Sequence, residues 1–154
     1  METVKQGNRE LTFLLVEDNL GHARLVEKNL RRCDIANPIV HVSDGRQALD
    51  YVFGAGERAG ASRSDAVLVL LDINLPEVDG VQVLKQLKGD ESTKQIPVLM
   101  LTTVDDEREI ARCYEYGCNV YITKPVDCDE FAEAVRRLGL LLQVAKMPKG
   151  GGVS

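Results

Sequence analysis

Five predominantly apolar stretches, each ending abruptly on polar residues, punctuate the chain at 11–16 (LTFLLV), 39–42 (IVHV), 67–71 (VLVLL), 96–101 (IPVLML) and 119–123 (NVYIT). An unbroken run such as 67–71 suits a strand buried on both faces, as in a parallel sheet covered by helices. Helical spacing fills the intervals. Ala23, Val26 and Leu30 form one stripe in a helix that starts after Asn19 and runs to about Arg32. Ala48, Leu49 and Val52 form a second, ending near Phe53, and Val83, Leu84 and Leu87 a third. Ile110, Ala111 and Tyr114 are expected to face inward from a fourth helix closed by Gly117. A fifth helix is predicted over 127–145, with Phe131, Ala134, Val135, Leu138, Leu141, Leu142 and Ala145 on its inner side. Helix starts are marked by acceptors at the N-cap: Asn19, Asp44 with Gln47, Asp79 with Gln82, and Asp127 with Glu130. The acids 105–107 suit the N-terminus of the fourth helix. Strand and helix alternate five times with short connections. That pattern predicts an α/β fold: a five-stranded, doubly wound parallel sheet, flavodoxin-like, in a three-layer (βα)5 sandwich.

Composition narrows this picture. The chain has 154 residues, which suits one domain, expected over 11–147 with loose ends at 1–10 and 148–154. The polar stretch 54–65 is longer than most connections in such folds and reads as a tolerated surface insertion. Charged residues make up 28% and the net charge is −5, which argues against a nucleic-acid surface and a polybasic membrane anchor. No apolar run approaches the ~18 residues a membrane helix needs. The first residues do not read as a signal peptide, so a cytoplasmic location is expected. Cys33, Cys113, Cys118 and Cys128 have no C-x-x-C spacing and are expected to be free thiols.

Candidate chemistry lies where the strands end. The first apolar run ends on Glu17-Asp18, the third on Asp72, the fourth on Thr102 and the fifth on Lys124. In a parallel sheet these residues reach the same edge, where open α/β sheets place their ligand sites. Three crowded carboxylates favour a hard cation such as Mg²⁺. Asp18 and Asp72 are candidate direct ligands, with the Asn74 carbonyl and waters completing the shell and Glu17 acting through water. Lys124 adds positive charge and Thr102 a hydroxyl, making a socket for a phosphoryl group on Asp72. His22, in the first turn of a helix, is a possible neighbour or mere surface. His41 lies within the second strand, either solvent-facing or satisfied.

These motifs resemble those of response regulator receiver domains of two-component systems: VEDN at 16–19, LLDINLPEVDG at 70–80, LTT at 101–103 and KP at 124–125. The resemblance implies a phosphoacceptor at Asp72, a metal site at Glu17, Asp18, Asp72 and Asn74, and a phosphate-sensing Thr102. It also implies a phosphate-binding Lys124, a switch aromatic at Tyr121 and a cis Lys124–Pro125 bond. Thr103 departs from the small residue frequent at that place in the family. The 54–65 loop and the 113–125 stretch further resemble small single-domain regulators that partner bacterial phytochrome-type histidine kinases. The partners implied are a sensor histidine kinase and, for relay, a histidine phosphotransfer protein. Two other readings stay open. A haloacid dehalogenase-type phosphatase would need a general acid where Asn74 stands, and a non-phosphorylated interaction module would leave the site residues idle. On the predicted final helix, Leu140 and Val144 fall opposite the core face. Proteins this chain resembles commonly dimerise there, so a homodimer through 127–145 is expected.

Overall fold

The computed structural model describes residues 1–54 and 66–144. Seven strands and five helices follow one another as β1 Glu2–Gln6, β2 Arg9–Val16, α1 Leu20–Arg32, β3 Ile39–Val42, α2 Gly45–Phe53, β4 Ala66–Leu71, α3 Gly80–Lys88, β5 Val98–Thr102, α4 Glu107–Glu115, β6 Val120–Thr123, α5 Cys128–Arg137 and β7 Leu141–Val144. β3, β2, β4, β5 and β6 lie side by side, all parallel, as expected for the doubly wound fold. Alternate residues along each strand serve opposite faces. Phe13, Leu15, Leu68, Leu70, Leu99 and Leu101 pack with α1 and α5. Leu14, Val16, Val69, Leu71, Val98 and Met100 pack on the other side with α2, α3 and Cys113 of α4. The caps fall where their side chains place them. Asn19, Asp44, Asp79 and Asp127 accept from the amides of His22, Gln47, Gln82 and Glu130.

Several expectations are corrected. The first residues are not a loose end: β1 forms an antiparallel hairpin with Arg9 and Glu10 across Gly7, whose φ is +65°. Buried Asn37 fixes this hairpin. Its amide donates to the Val4 and Leu11 carbonyls and its oxygen accepts from the Val4 N–H.

The last helix stops at Arg137, because Gly139 adopts a φ of +72° and the chain turns into β7, which pairs with β1. Leu140 is buried beneath that turn, and Val144 projects from a strand. The two therefore share no helical face, and the apolar patch expected of them on the last helix does not form.

In α4 only Cys113 is buried. The helix is rotated so that Ala111 and Tyr114 face outward, with Ile110 half-buried.

Cys33 and Cys128 are not free: they form a disulfide with a Cα–Cα distance of 5.4 Å, made possible because α1 and α5 share one face of the sheet. Cys113 and Cys118 are free and buried. The 148–154 tail and the 55–65 part of the long loop lie outside the described residues. Among the described residues no helix is long and apolar enough to cross a membrane.

Candidate functional site

Glu17 and Asp72 occupy the positions just after β2 and β4, the two central neighbours of the parallel sheet. Both side chains are buried, as is Thr102 at the end of β5. Burying carboxylates without partners is costly, and here each has several. The Asp72 Oδ1 accepts from the Ile73 N–H at 2.7 Å, and the Glu17 Oε2 from the Asn19 N–H at 3.1 Å. Lys124, delivered by β6, bridges the pair: its Nζ donates to Glu17 Oε1 and, at 3.1 Å, to Asp72 Oδ2. The Lys124 N–H also donates to the Thr102 carbonyl at 2.8 Å, which ties β6 to β5 beside the site, and the Lys124–Pro125 bond is cis as expected.

The two carboxyls are pushed in opposite directions. Burial raises Glu17, and proximity to Asp72 adds to this despite the bonds from Lys124 and Asn19. Burial also acts to raise Asp72, but hydrogen bonds from the Thr102 hydroxyl and Glu17, with the charge of Lys124, outweigh it and hold Asp72 below the usual carboxylate range. Asp72 is thus the more readily ionised of the two, and an ionised carboxylate is the nucleophilic form.

Other candidates lie around this pair. Asp18 and Asn74 are exposed at its rim. Among the described residues no three of His, Cys, Asp and Glu converge as a ready metal cluster. The donor chemistry nevertheless fits a hard cation. Glu17 and Asp72 adjoin with Asp18 next in the chain, and the single Lys124 leaves negative charge in excess. Tyr121 belongs to β6, three residues before Lys124. Its hydroxyl donates to the Val104 carbonyl at 2.5 Å, while the Val104 N–H donates to the Thr102 hydroxyl at 3.3 Å, so the aromatic and the threonine hold one loop between them. Thr103 is exposed and, with Leu25, Val26, Pro125 and Val126, lines a groove that opens beside Lys124.

Sequence reasoning left two groups without a role. His41 stands opposite Leu15 in the β2–β3 register, and its Nε2 lies 2.7 Å from the Glu17 carbonyl, fixing the backbone that carries Glu17. Gly80 permits the close return of the chain, since a Cβ there would lie 1.9 Å from the Asp72 carbonyl oxygen. The LPEVDG stretch after Asp72 carried the signal for that turn. Nothing in the sequence alone pointed His41 at Glu17. His22 lies with its Nδ1 3.9 Å from Glu17 Oε1.

A buried carboxylate, a threonine hydroxyl and a lysine stand together on successive strand ends of a five-stranded parallel sheet. The profile of the response regulator receiver domain matches residues 13–136, and the chain belongs to that family. Its single-domain relatives include the response regulator Rcp1 of Synechocystis, 36% identical over 77% of this chain and 80% of Rcp1. The Mn²⁺-bound structure of Rcp1 superposes with a TM-score of 0.65 at 33% identity, over 82% of this chain and 89% of that one. The bacteriophytochrome response regulator AtBRR is 38% identical with a TM-score of 0.78, covering 89% of this chain and 98% of its own. The phosphorylated cyanobacterial phytochrome response regulator RcpA is 38% identical with a TM-score of 0.68, over 82% and 89% of the two chains. The chain is accordingly a receiver-type response regulator that accepts a phosphoryl group in two-component signalling.

Proposed function

We propose that Asp72 is the phosphoacceptor and that the donor is the phosphohistidine of a sensor kinase. The observation that carries this is the electrostatic split at the sheet edge. Of two adjoining buried carboxyls, Asp72 is the one held below the usual carboxylate range, by Thr102, Glu17 and Lys124, whose Nζ lies 3.1 Å from its Oδ2. An Asp72 carboxylate oxygen attacks phosphorus in line. The P–O bond forms as the P–N bond breaks, and its electron pair leaves on the imidazole nitrogen of the donor. Such transfers depend on positioning and charge neutralisation more than on covalent help. Lys124, already within reach of Asp72, keeps its ammonium beside the incoming phosphoryl oxygens, and the Thr102 hydroxyl donates to another. Mg²⁺ held by Asp72 and Asp18, with the Asn74 carbonyl and Glu17 in support, supplies further positive charge when bound. The Mn²⁺-bound state of Rcp1 supports a divalent cation at this edge.

The only chemistry assigned to the chain is its own phosphorylation and dephosphorylation; the output is contact with another protein or relay to a histidine phosphotransfer protein. Tyr121 and Thr102 share the loop at Val104, so phosphoryl capture by Thr102 would be felt by the aromatic ring. A phytochrome-type kinase is the partner class favoured by the relatives AtBRR and RcpA, and a cytoplasmic location places the chain with such a kinase. A dehalogenase-type phosphatase is disfavoured because Asn74 offers an amide where a general acid is needed.

The test is incubation with acetyl phosphate and Mg²⁺. One acid-stable, base-labile phosphoryl group should appear on the peptide containing Asp72, and Asp72→Asn should carry none. Equal labelling of the variant would remove the assignment.

A further inference from the structure

The disulfide joins two helices that each lead away from the site. Cys33 is the C-cap of α1, which begins three residues after Glu17, and Cys128 is the first residue of α5, four residues after Lys124. The bond spans a sequence separation of 95 and encloses Asp72, Thr102 and Lys124 in the loop it closes. It lies at the surface, with Cys128 exposed and Cys33 half-buried. The cysteines divide into two kinds. Cys113 and Cys118 are buried, and burial pushes their thiols up to about 11 and about 12. Such thiols hold little thiolate at neutral pH and are inert. Cys128 sits instead in the first turn of a ten-residue helix, where free N–H groups favour a thiolate, although Asp129 and Glu130 in the same turn oppose this. Cys33 follows the basic pair Arg31 and Arg32.

We infer that the Cys33–Cys128 pair is a redox modification site, exchanging with small thiols and disulfides of the glutathione class on the folded protein, and that its state sets how firmly the start of α5 and the Lys124 segment are held. The inference rests on the cytoplasmic location proposed above, because a surface disulfide in a reducing compartment is more often regulatory than structural. Closure begins when the Cys128 thiolate attacks one sulfur of a small disulfide RSSR, forming a mixed disulfide and releasing RS⁻. The Cys33 thiolate then attacks the Cys128 sulfur and releases a second RS⁻. Two electrons pass from the protein dithiol to RSSR, and the two protons lost by the cysteines end on the two RSH. Opening is the reverse sequence, with glutathione as the reductant. The covalent tie shortens the unfolded chain's freedom and pins α5 to α1 at the end nearest Lys124.

The full-length chain would be equilibrated in graded mixtures of reduced and oxidised glutathione, trapped with iodoacetamide without denaturant, and mapped by mass spectrometry. Expected is reversible conversion of Cys33 and Cys128 with an unchanged circular dichroism spectrum, while Cys113 and Cys118 stay unlabelled until the chain is unfolded. Reduction should lower the melting temperature by about 5–15 °C and speed amide exchange over 124–137 by at least tenfold. Cys33→Ser with Cys128→Ser should melt at the reduced value in either buffer. The inference is overturned if the bond neither opens nor closes in the native fold. It is equally overturned if opening leaves exchange over 124–137 unchanged, or if the double variant keeps a redox-dependent melt. Failure of acetyl phosphate to label Asp72 in both redox states would instead count against the phosphoacceptor, since thiol trapping and amide exchange do not depend on labelling.

Discussion

At the carboxyl ends of β2, β4 and β6, Glu17, Asp72 and Lys124 are packed with negative charge in excess, whereas near the amino end of β2 the neutral side-chain amide of Asn37 meets only backbone groups. Both groups are buried and both join strands. The difference lies in what is left unsatisfied. Asn37 has both amide protons and its side-chain oxygen engaged, so this amide has nothing left to offer a ligand. At the other end Glu17 is raised by burial and by Asp72, and one lysine serves two carboxylates. That residual need for positive charge is what a cation and a phosphoryl group can exploit. The amino end thus secures the fold and the carboxyl end carries the chemistry.

If this division is right, substitutions at the two ends should have separable effects. The largest is expected from Lys124→Ala. Losing one preorganised charge should slow acetyl phosphate labelling of Asp72 about 10²-fold, while the fold survives. A labelling rate within twofold of wild type would mean that Lys124 serves the fold rather than the transfer. Asn37→Ala should show the reverse. Three buried backbone groups lose their partner, which costs about 2–4 kcal/mol, read as a fall in the urea midpoint at unchanged slope, with labelling of the folded protein intact. A similar benefit should come from adding charge at the carboxyl end. Mg²⁺ at a hundred times its dissociation constant should stabilise the chain by about 2.7 kcal/mol, and Asp18→Ala should abolish that rise in melting temperature. An unchanged wild-type melt would show that the excess charge is not a cation site.

The smallest effect sharpens the contrast within the carboxyl half. The Tyr114 hydroxyl accepts from the Tyr121 N–H on the outer edge of β6, in a helix that buries only Cys113. Tyr114→Phe should cost only about 0.5–1 kcal/mol, since water replaces an exposed acceptor. It should speed amide exchange at Tyr121 without touching Asn37 or β1.

Much of this was legible before any coordinates. Side-chain acceptors at Asn19, Asp44, Asp79 and Asp127 placed four helix starts, because capping is decided within three residues. Apolar runs ending on Glu17, Asp72, Thr102 and Lys124 placed the site residues, because parallel strands end on one edge. What escaped depends on neighbours distant in sequence or on weak local signals. Gly7-Asn8 between polar residues marked a hairpin, but β1 is too polar to read as a strand without Asn37 to receive it. Arg136-Arg137 followed by Gly139 was a helix stop, masked by the apolar residues beyond it that belong to β7. The Cys33–Cys128 bond follows only once α1 and α5 are known to share a face. The rotation of α4 follows only from which of its residues finds the sheet.

The pairing of β1 with β7 sets Thr3 against Gln143 and Val4 against Leu142. During synthesis β1 emerges well before β7, so one of its edges has no partner until residues past 140 have been made. Contacts of such long sequence separation slow folding and leave strand edges open to other chains meanwhile. On a crowded ribosome the receiver core over 11–137 can assemble first, with the β1 edge waiting as the last seam to close.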